Sequence, residues 1–472
     1  VTVAERLGSA FVVELARGAL GAPADAWIAG GAVRDAALGR QVDDLDLAVA
    51  GDPAAGAKTI AREGGGHAFE LSAEFATWRA VAADGGWQVD LTALRGATIE
   101  DDLRERDFTV GAVAVPLAGG EPIDPYGGLA DLERGVLRTV TERSFDSDPL
   151  RLLRAARLAA DLGLEIAGET VALARSRATR AAEPAGERQL AEMRRLVGGP
   201  EPLRGVALLD ELGLTAVVLP ELAALRGVEQ GPNHHLDVHD HTIAVLERTL
   251  EVEADLERFG GERSGELAAL LAEPLADEMT RGTALRFGAL LHDIGKPATR
   301  AEHDGFVTFV GHDRDGAEIV AGVCRRLRAS RALTRHLQGL TLHHLRLGFM
   351  VHEAPLPPRR VHEYLRATEP VGPDVTLLTV ADRLSARGSG PFATDEAIEA
   401  HLRLAREMLA ATLDWRQDGP PPPLLRGDEL VGELGVSDGP EVGELLAELE
   451  AAQFAGEVGD RQQAIEYLRR RR

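Results

Sequence analysis

Along residues 1 to about 145 the apolar positions follow the short periods of a mixed α/β fold. Ala26-Trp27-Ile28-Ala29 is a brief apolar run closed by two glycines, and Asp44 to Ala50 alternates polar and apolar side chains. Trp87 to Leu91 and Phe108 to Pro116 read as further strands. From Asp148 the period lengthens. Leu150, Leu153, Arg154, Arg157 and Leu158 have the three-to-four spacing of an amphipathic helix that Gly163 closes, and helical patterning continues through Leu225. A histidine-rich helical stretch then runs from His234 to about His401. The prolines at 420 to 423 mark a linker, and a tail punctuated by Gly427, Gly432, Gly435 and Gly439 runs to Arg469 to Arg472. No internal repeat interrupts this order. At 472 residues the chain exceeds what one hydrophobic core organises. The pattern predicts a multidomain protein: an α/β head over 1–145, an all-α neck over 146–225, a helical domain over 226–400 and a helical tail over 401–472.

Composition narrows the setting. A hydrophobic fraction of 44% fits a globular chain, and no apolar run approaches the roughly 20 residues needed to span a bilayer. With no basic, apolar, small-residue cleavage pattern near the N-terminus, the expectation is a cytoplasmic protein without a membrane partner. A single cysteine, Cys324, excludes an internal disulfide framework and a structural cysteine-zinc site. The net charge of −24 argues against a uniformly basic nucleic-acid binder, but the charge is uneven. Between Arg151 and Arg195 arginines outnumber acids nine to six, which leaves room for a local basic surface. Lysine occurs only at Lys58 and Lys296, so arginine supplies nearly all positive charge, as an arginine-favouring genome composition would produce. Nothing in the sequence fixes an oligomeric state.

The strongest chemical signal is Gly30-Gly31-Ala32-Val33-Arg34-Asp35 followed by Asp44-Leu45-Asp46. Glycines let a backbone approach phosphates closely, and carboxylates at i and i+2 project from one face of a strand. Two Mg2+ ions about 3.5 to 4 Å apart activate an attacking hydroxyl and neutralise a leaving pyrophosphate, and carboxylate oxygens are the hard ligands they prefer. Asp44 and Asp46 are therefore the candidate catalytic metal ligands, with Asp90 a candidate third. This is equipment for nucleotidyl transfer. Further on come Arg106-Asp107-Phe108-Thr109 and Asp124-Pro125-Tyr126-Gly127-Gly128 with Asp131.

This ordered series, spread over residues 28 to 135, resembles the class II tRNA nucleotidyltransferase and poly(A) polymerase family, the CCA-adding enzymes. The resemblance implies a polymerase-β-like nucleotidyltransferase head. It also implies that Gly30, Gly31 and Arg34 contact the triphosphate and that Arg106 and Asp107 hold sugar and phosphates. Two positions depart from the family pattern: Glu105 stands where an arginine is usual, and Gly111 where an asparagine is usual.

Ser147-Asp148-Pro149-Leu150-Arg151 reads as a helix start with Asp148 as N-cap and Pro149 at the first helical position. Arg151 lies one turn along the same face, so a carboxylate acceptor would stand beside a guanidinium donor. Cytosine and adenine each offer an amino donor beside a ring-nitrogen acceptor, whereas uracil and guanine present a carbonyl that an aspartate repels. Asp148 and Arg151 are thus the candidate protein template for CTP and ATP. The family's Glu-Asp-x-x-Arg motif aligns here with Ser147 in place of glutamate. Arg154, a further candidate nucleotide-binding residue, and Arg157 continue the helix face, and Glu187-Arg188 with Glu192 match an ion-pair element of the family's neck.

In the histidine-rich region, His241, His292-Asp293 and Asp382 have the order and wide spacing of an HD-domain metal site, with His312 and His344 between them as candidate ligands of a second ion. Among the neighbouring histidines 234, 235, 239 and 343, only His343 competes with a named ligand. Lys296 could attract a phosphate. The region resembles the HD domain attached to some bacterial CCA-adding enzymes, which implies a divalent metal and hydrolysis of phosphate esters, including cyclic ones. The tail, with Leu425 to Leu430 and Asp438-Gly439-Pro440, resembles the family's C-terminal segment that braces tRNA, and the terminal arginines could assist it.

With these residues, the resemblance implies an enzyme that adds CCA to the 3′ end of tRNA from CTP and ATP, releasing pyrophosphate, with a pocket reshaped between nucleotides by the segment from Gly64 to Arg79. The alternatives are addition of CC alone or A alone, or an HD phosphohydrolase whose head has become a sensor.

Overall fold

The structure is a computed structural model that describes all residues except 1, 22, 24, 74, 75, 304, 435, 437, 438 and 472. It divides into two compact units, Val1–Leu196 with Arg204–Val217, and Val197–Leu203 with Val218–Arg472. The expected head and most of the expected neck fall in the first.

The head is a six-stranded sheet of β1 (Ala26–Ala29), β2 (Asp44–Val49), β3 (His67–Ser72), β4 (Thr77–Val81), β5 (Gln88–Ala93) and β6 (Ala114–Pro116), in the order β3-β4-β5-β2-β1-β6. Only β2 and β5 run parallel. Alternation along β2 assigns its two faces. Leu45, Leu47 and Val49 join the main core with Ile28, Val89 and Leu91, whereas Ala48 joins a smaller cluster with Ala29, Ile99 and Leu103 on the opposite side. Asp44 and Asp46 therefore share the thinly packed face, which the helix α2 (Ile99–Arg104) covers; α1 (Gly31–Ala37) follows β1.

The expected strands at 26–29, 44–50 and 87–91 are present, but Phe108 to Pro116 is not one strand. A 3₁₀ turn at Thr109–Gly111 interrupts it and leaves only Ala114–Pro116 in the sheet. The Thr109 N–H donates to the Arg138 carbonyl, its hydroxyl donates to Asp131, and Gly128 packs so closely that a Cβ there would lie 2.0 Å from the Thr109 oxygen. The segment 64–79 contributes β3 and β4 at the sheet edge, with residues 74 and 75 outside the described residues.

The neck helix α3 (Arg151–Leu162) ends, as its pattern predicts, at Gly163 with φ of 70°. At its start Asp148 lies in extended backbone ahead of Pro149, as a residue before proline prefers, and caps the Leu150 N–H with its carboxylate at 3.1 Å, although the regular helix begins only at Arg151. Buried Glu192 on α4 (Gly186–Gly198) accepts from Arg157 at 2.7 Å and Arg154 at 3.4 Å, joining the two helices in the expected ion-pair element.

The second unit is helical. Its centre contains α5 (Val238–Ala254), α6 (Arg281–Leu291), α7 (His312–Arg326), α8 (Arg331–His343) and α9 (Gly372–Ser385), with small hairpins at 274–280 and 301–308. Residues 425–468 form a separate apolar cluster. Arg359 ties this cluster to the preceding helices through Glu457 at 2.6 Å and Glu448 at 3.1 Å, and His362 bonds Glu450 at 2.9 Å. Arg469 and Arg471 pair with Glu433 and Glu448 inside the tail, so these expected RNA-facing cations are engaged internally. Gly435, Asp438 and Arg472 lie outside the described residues. No described helix is long and apolar enough to cross a membrane.

Glu192→Ala leaves Arg157, only 13% exposed, without its main partner. The expected loss is about 2 kcal/mol of unfolding free energy, below the ~3 to 5 of a fully buried pair because Arg154 is about a third open to solvent; urea denaturation measures it.

Candidate active sites

In the first unit, Gly30 turns the chain from β1 into α1 at φ of 74°. A Cβ there would lie 2.8 Å from Arg106 Nη1 and 3.1 Å from Asp46 Oδ2, so the position requires glycine on both conformational and steric grounds. This turn, Asp46 and the Arg106 guanidinium thus meet at one point. Arg106 is aimed there by buried Asp102, which accepts from its Nε at 3.2 Å and its Nη2 at 3.1 Å. Asp44 and Asp46 remain open to solvent. Protein crowding nonetheless holds both carboxyls above the ordinary aspartate range by desolvation, which Arg79 opposes at Asp44 and Arg106 opposes at Asp46.

Asp90 stands beside Asp46 in the parallel register. Both its oxygens accept from Arg79, at 2.7 and 2.8 Å, so the carboxylate expected as a third metal ligand stands in an ion pair. Arg34 turns to its neighbour Asp35, at 2.9 and 3.0 Å. Asp107 accepts from Arg154 at 3.0 Å. Burial pushes its carboxyl up, but Arg154 and Arg151 outweigh that and leave it below the usual range.

Asp148 and Arg151 do not pair with each other. Asp148 accepts the Leu150 N–H at 3.1 Å and Arg188 at 3.0 Å. Buried Arg151 donates to the carbonyls of Glu105 at 2.6 Å and Ser144 at 3.2 Å and to Ser147 Oγ at 3.3 Å. Patterning gave no sign of Arg79 or Arg188 as partners, because each acts across elements far apart in sequence.

In the second unit the chain brings together all six histidine-region candidates. His241 Nε2 lies 3.0 Å from Asp382, and Asp293 stands 3.1 Å from His292, 3.3 Å from His312 and 3.6 Å from His344. The donor atoms form two groups, His241–His292–Asp382 and Asp293–His312–His344, each within 4.8 Å. His344, not His343, joins the cluster. The Nδ1 atoms of His292, His312 and His344 lie 2.9, 2.7 and 2.6 Å from the carbonyls of Ala289, Phe309 and Thr341, fixing each ring so that Nε2 faces the centre. Asp293 and Asp382 lie well below the ordinary range: burial raises them, but His292 and Lys296 at the first, and His241 at the second, dominate. Burial lowers His241 and His344, favouring the neutral rings that can ligate metal. His234, edge-on to His241 at 4.6 Å, is pushed down to about 3 by burial.

Buried His292 Nε2 and Asp293 Oδ1 form no aligned hydrogen bond, and the donors are imidazole nitrogens and carboxylate oxygens, a set that fits two divalent cations. Lys296 bonds Asp293 at 2.6 Å and Gln230 at 2.7 Å. A cavity of about 600 Å³ opens over Lys296 and His312, walled by Phe309 and Phe349. No periodic signal revealed those phenylalanines.

Three family models match the chain: the poly A polymerase head domain at residues 26–138, the probable RNA and SrmB-binding site of polymerase A at 163–225, and the HD domain at 238–387. The head match defines a nucleotidyltransferase. The chain is 37% identical over 455 residues to the A-adding tRNA nucleotidyltransferase of Deinococcus radiodurans, covering 95% of this chain and 96% of that protein. It is 35% identical over 455 residues to the CC-adding tRNA nucleotidyltransferase of Thermus thermophilus, covering 94% and 93%. Its fold is similar to that of the Thermotoga maritima CCA-adding enzyme complexed with tRNA, with a TM-score of 0.59 at 20% identity over 98% of this chain and 97% of that one. The chain belongs to the tRNA nucleotidyltransferase family.

Two measurements check the metal chemistry. Mn2+ at about 100 times its dissociation constant stabilises the protein by about 2.7 kcal/mol at one site, and Asp293→Ala removes the part of the thermal shift due to the histidine cluster. Asp46 is raised in the fold, so the metal-free protein is least penalised at low pH and loses stability as pH rises through the folded pKa. Asp46→Asn therefore stabilises the metal-free protein at pH 7, as read by urea unfolding in EDTA.

Proposed function

We propose that the protein builds the 3′ end of tRNA, adding C, C and A from CTP and ATP without a nucleic-acid template, in the cytoplasm where its substrate matures. The observation that carries this reading is the solvent-open pair Asp44 and Asp46 beside the Gly30 turn, in a chain of this family. The tRNA 3′-hydroxyl attacks the α-phosphate of the nucleotide, one phosphodiester forms, and pyrophosphate leaves. Asp44 and Asp46 would hold Mg2+, which supplies charge neutralisation and activation of the hydroxyl. Gly30 and Gly31 give the triphosphate a close approach, and Arg106 adds a guanidinium whose direction is set by Asp102. Asp107, locked by Arg154, orients the sugar side.

Base choice falls to Asp148 and Arg151, each rigidly held: the first by Arg188 and the Leu150 N–H, the second by backbone carbonyls. Fixed donors and acceptors discriminate because a mismatched base leaves them unpaired. Arg34, paired with Asp35, can exchange that partner for a phosphate.

The names of the two relatives favour a second reading, in which this chain performs one part of the addition. The HD cluster would hold divalent cations, and with Lys296 and the overlying cavity it suits hydrolysis of a phosphate ester.

Incubation with tRNAs lacking CCA, CA or A, with CTP, ATP or both, tests the first site. Full extension is expected, reduced at least a thousandfold in Asp46→Ala. Products ending at CC, or extension only of primers lacking A, select the divided reading, and no extension of any primer sinks both. For the second site, phosphate release from a nucleoside 2′,3′-cyclic ester is expected and is lost in His292→Ala.

A further inference from the structure

Two of the three departures from the family pattern lie in one cavity. Glu105 and Ser147 line a space of about 520 Å³ in the first unit together with Arg104, Arg143 and Arg151. Arg151 is the buried floor, and its donations to the Glu105 carbonyl at 2.6 Å and to Ser147 Oγ at 3.3 Å hold both departing residues in register. Arg104 and Arg143 are exposed and form no ion pair among the described residues, whereas the neighbouring Arg177 and Arg180 are occupied by Asp146. The cavity thus combines two uncommitted guanidinium groups with two carboxylates, Glu105 and the arginine-paired Asp146, on a rigid floor. Guanidinium forks take phosphodiester oxygens, and a carboxylate accepts from an exocyclic amino group. Among the described residues no metal donor group lies here, and the cavity shares Arg151 with the base-selecting pair but is not lined by Asp148, which Arg188 holds.

We propose that this cavity is a second nucleotide subsite that receives the 3′-terminal nucleotide of the RNA being extended, with Arg104 and Arg143 on its phosphate and Glu105 on the amino group of a terminal cytosine. The inference rests on the tRNA reading above. The segment is well placed for such a role: the carbonyl of Arg106 accepts from Arg151 at 3.4 Å, and its guanidinium stands beside Gly30 and Asp46. A primer held at Glu105 is therefore one residue along the chain from the group that faces the candidate catalytic carboxylates.

The test uses the full chain and tRNA minihelices ending in C or in U, read by fluorescence anisotropy and by steady-state extension. The double variant Arg104→Ala/Arg143→Ala weakens minihelix binding at least tenfold and flattens the log–log salt dependence by about 0.7, one single-strand phosphate. KM for CTP and ATP stays within twofold. Glu105→Ala removes a preference of fivefold or more for the C-ended primer, and Glu105→Gln retains part of it. The proposal is overturned if KM for the nucleotide rises while minihelix binding is unchanged, or if neither moves. Binding is measured without turnover, so a wild-type protein that extends no primer refutes the tRNA-extension reading alone, while unchanged binding in the variants refutes the subsite alone.

Discussion

The first unit is organised around keeping two like charges on one strand face. Asp44 and Asp46 are two positions apart on β2, and ionised carboxylates about 7 Å apart repel by roughly 2 kcal/mol at an effective dielectric of about 20. The protein answers with arginines tied elsewhere. Arg79 is spent on Asp90, Arg106 is tied to Asp102, and neither neutralises the pair outright. Desolvation, with the neighbouring acids adding to it, keeps both carboxyls above the ordinary range, a state that a divalent cation relieves more effectively than any residue nearby. The small side chains of Ala29 and Ala48 on the same face keep Ile99 and Leu103, and hence Arg106, close to the strand.

The second unit solves a different problem, the burial of several histidines and an aspartate in one cluster. Backbone carbonyls at the ends of helices take one nitrogen of His292, His312 and His344, so their other nitrogens face Asp293 in a defined tautomer. Asp293 is the shared electrostatic centre, and Lys296 keeps it ionised when no cation does. Preorganisation of this kind is costly to the free protein and favours a ligand that supplies positive charge.

Much of this was legible in the sequence because it is written in short-range code. The i, i+2 spacing in β2, the glycine stop of α3 at Gly163 and the adjacent His292-Asp293 all depend on local geometry. What could not be read involves partners chosen by the fold. Asp148 and Arg151 are one turn apart and suggest a pair, yet Arg188 and the Glu105 carbonyl reach them first. The apolar run from Phe108 to Pro116 has strand character, but the close approach of Gly128 bends it. His343 and His344 are adjacent and chemically alike; the phase of the helix end decides that His344 faces the cluster. β3 and β4 were invisible because their edge position leaves β3 largely exposed and without a clear alternation.

The junction at Gly295 carries a separate consequence. A Cβ there would lie 2.2 Å from the His312 carbonyl oxygen and 2.7 Å from the Gly316 nitrogen, so the backbone of the His-Asp turn rests directly on the first turn of α7. That contact joins donors drawn from stretches of chain far apart in sequence, and it tolerates no side chain. One methyl group at this point would push the His312 backbone away and so pry the cluster open. A single codon change at Gly295 would therefore disarrange six polar side chains of the HD domain at once while leaving every one of them, and every residue of the head, in the sequence.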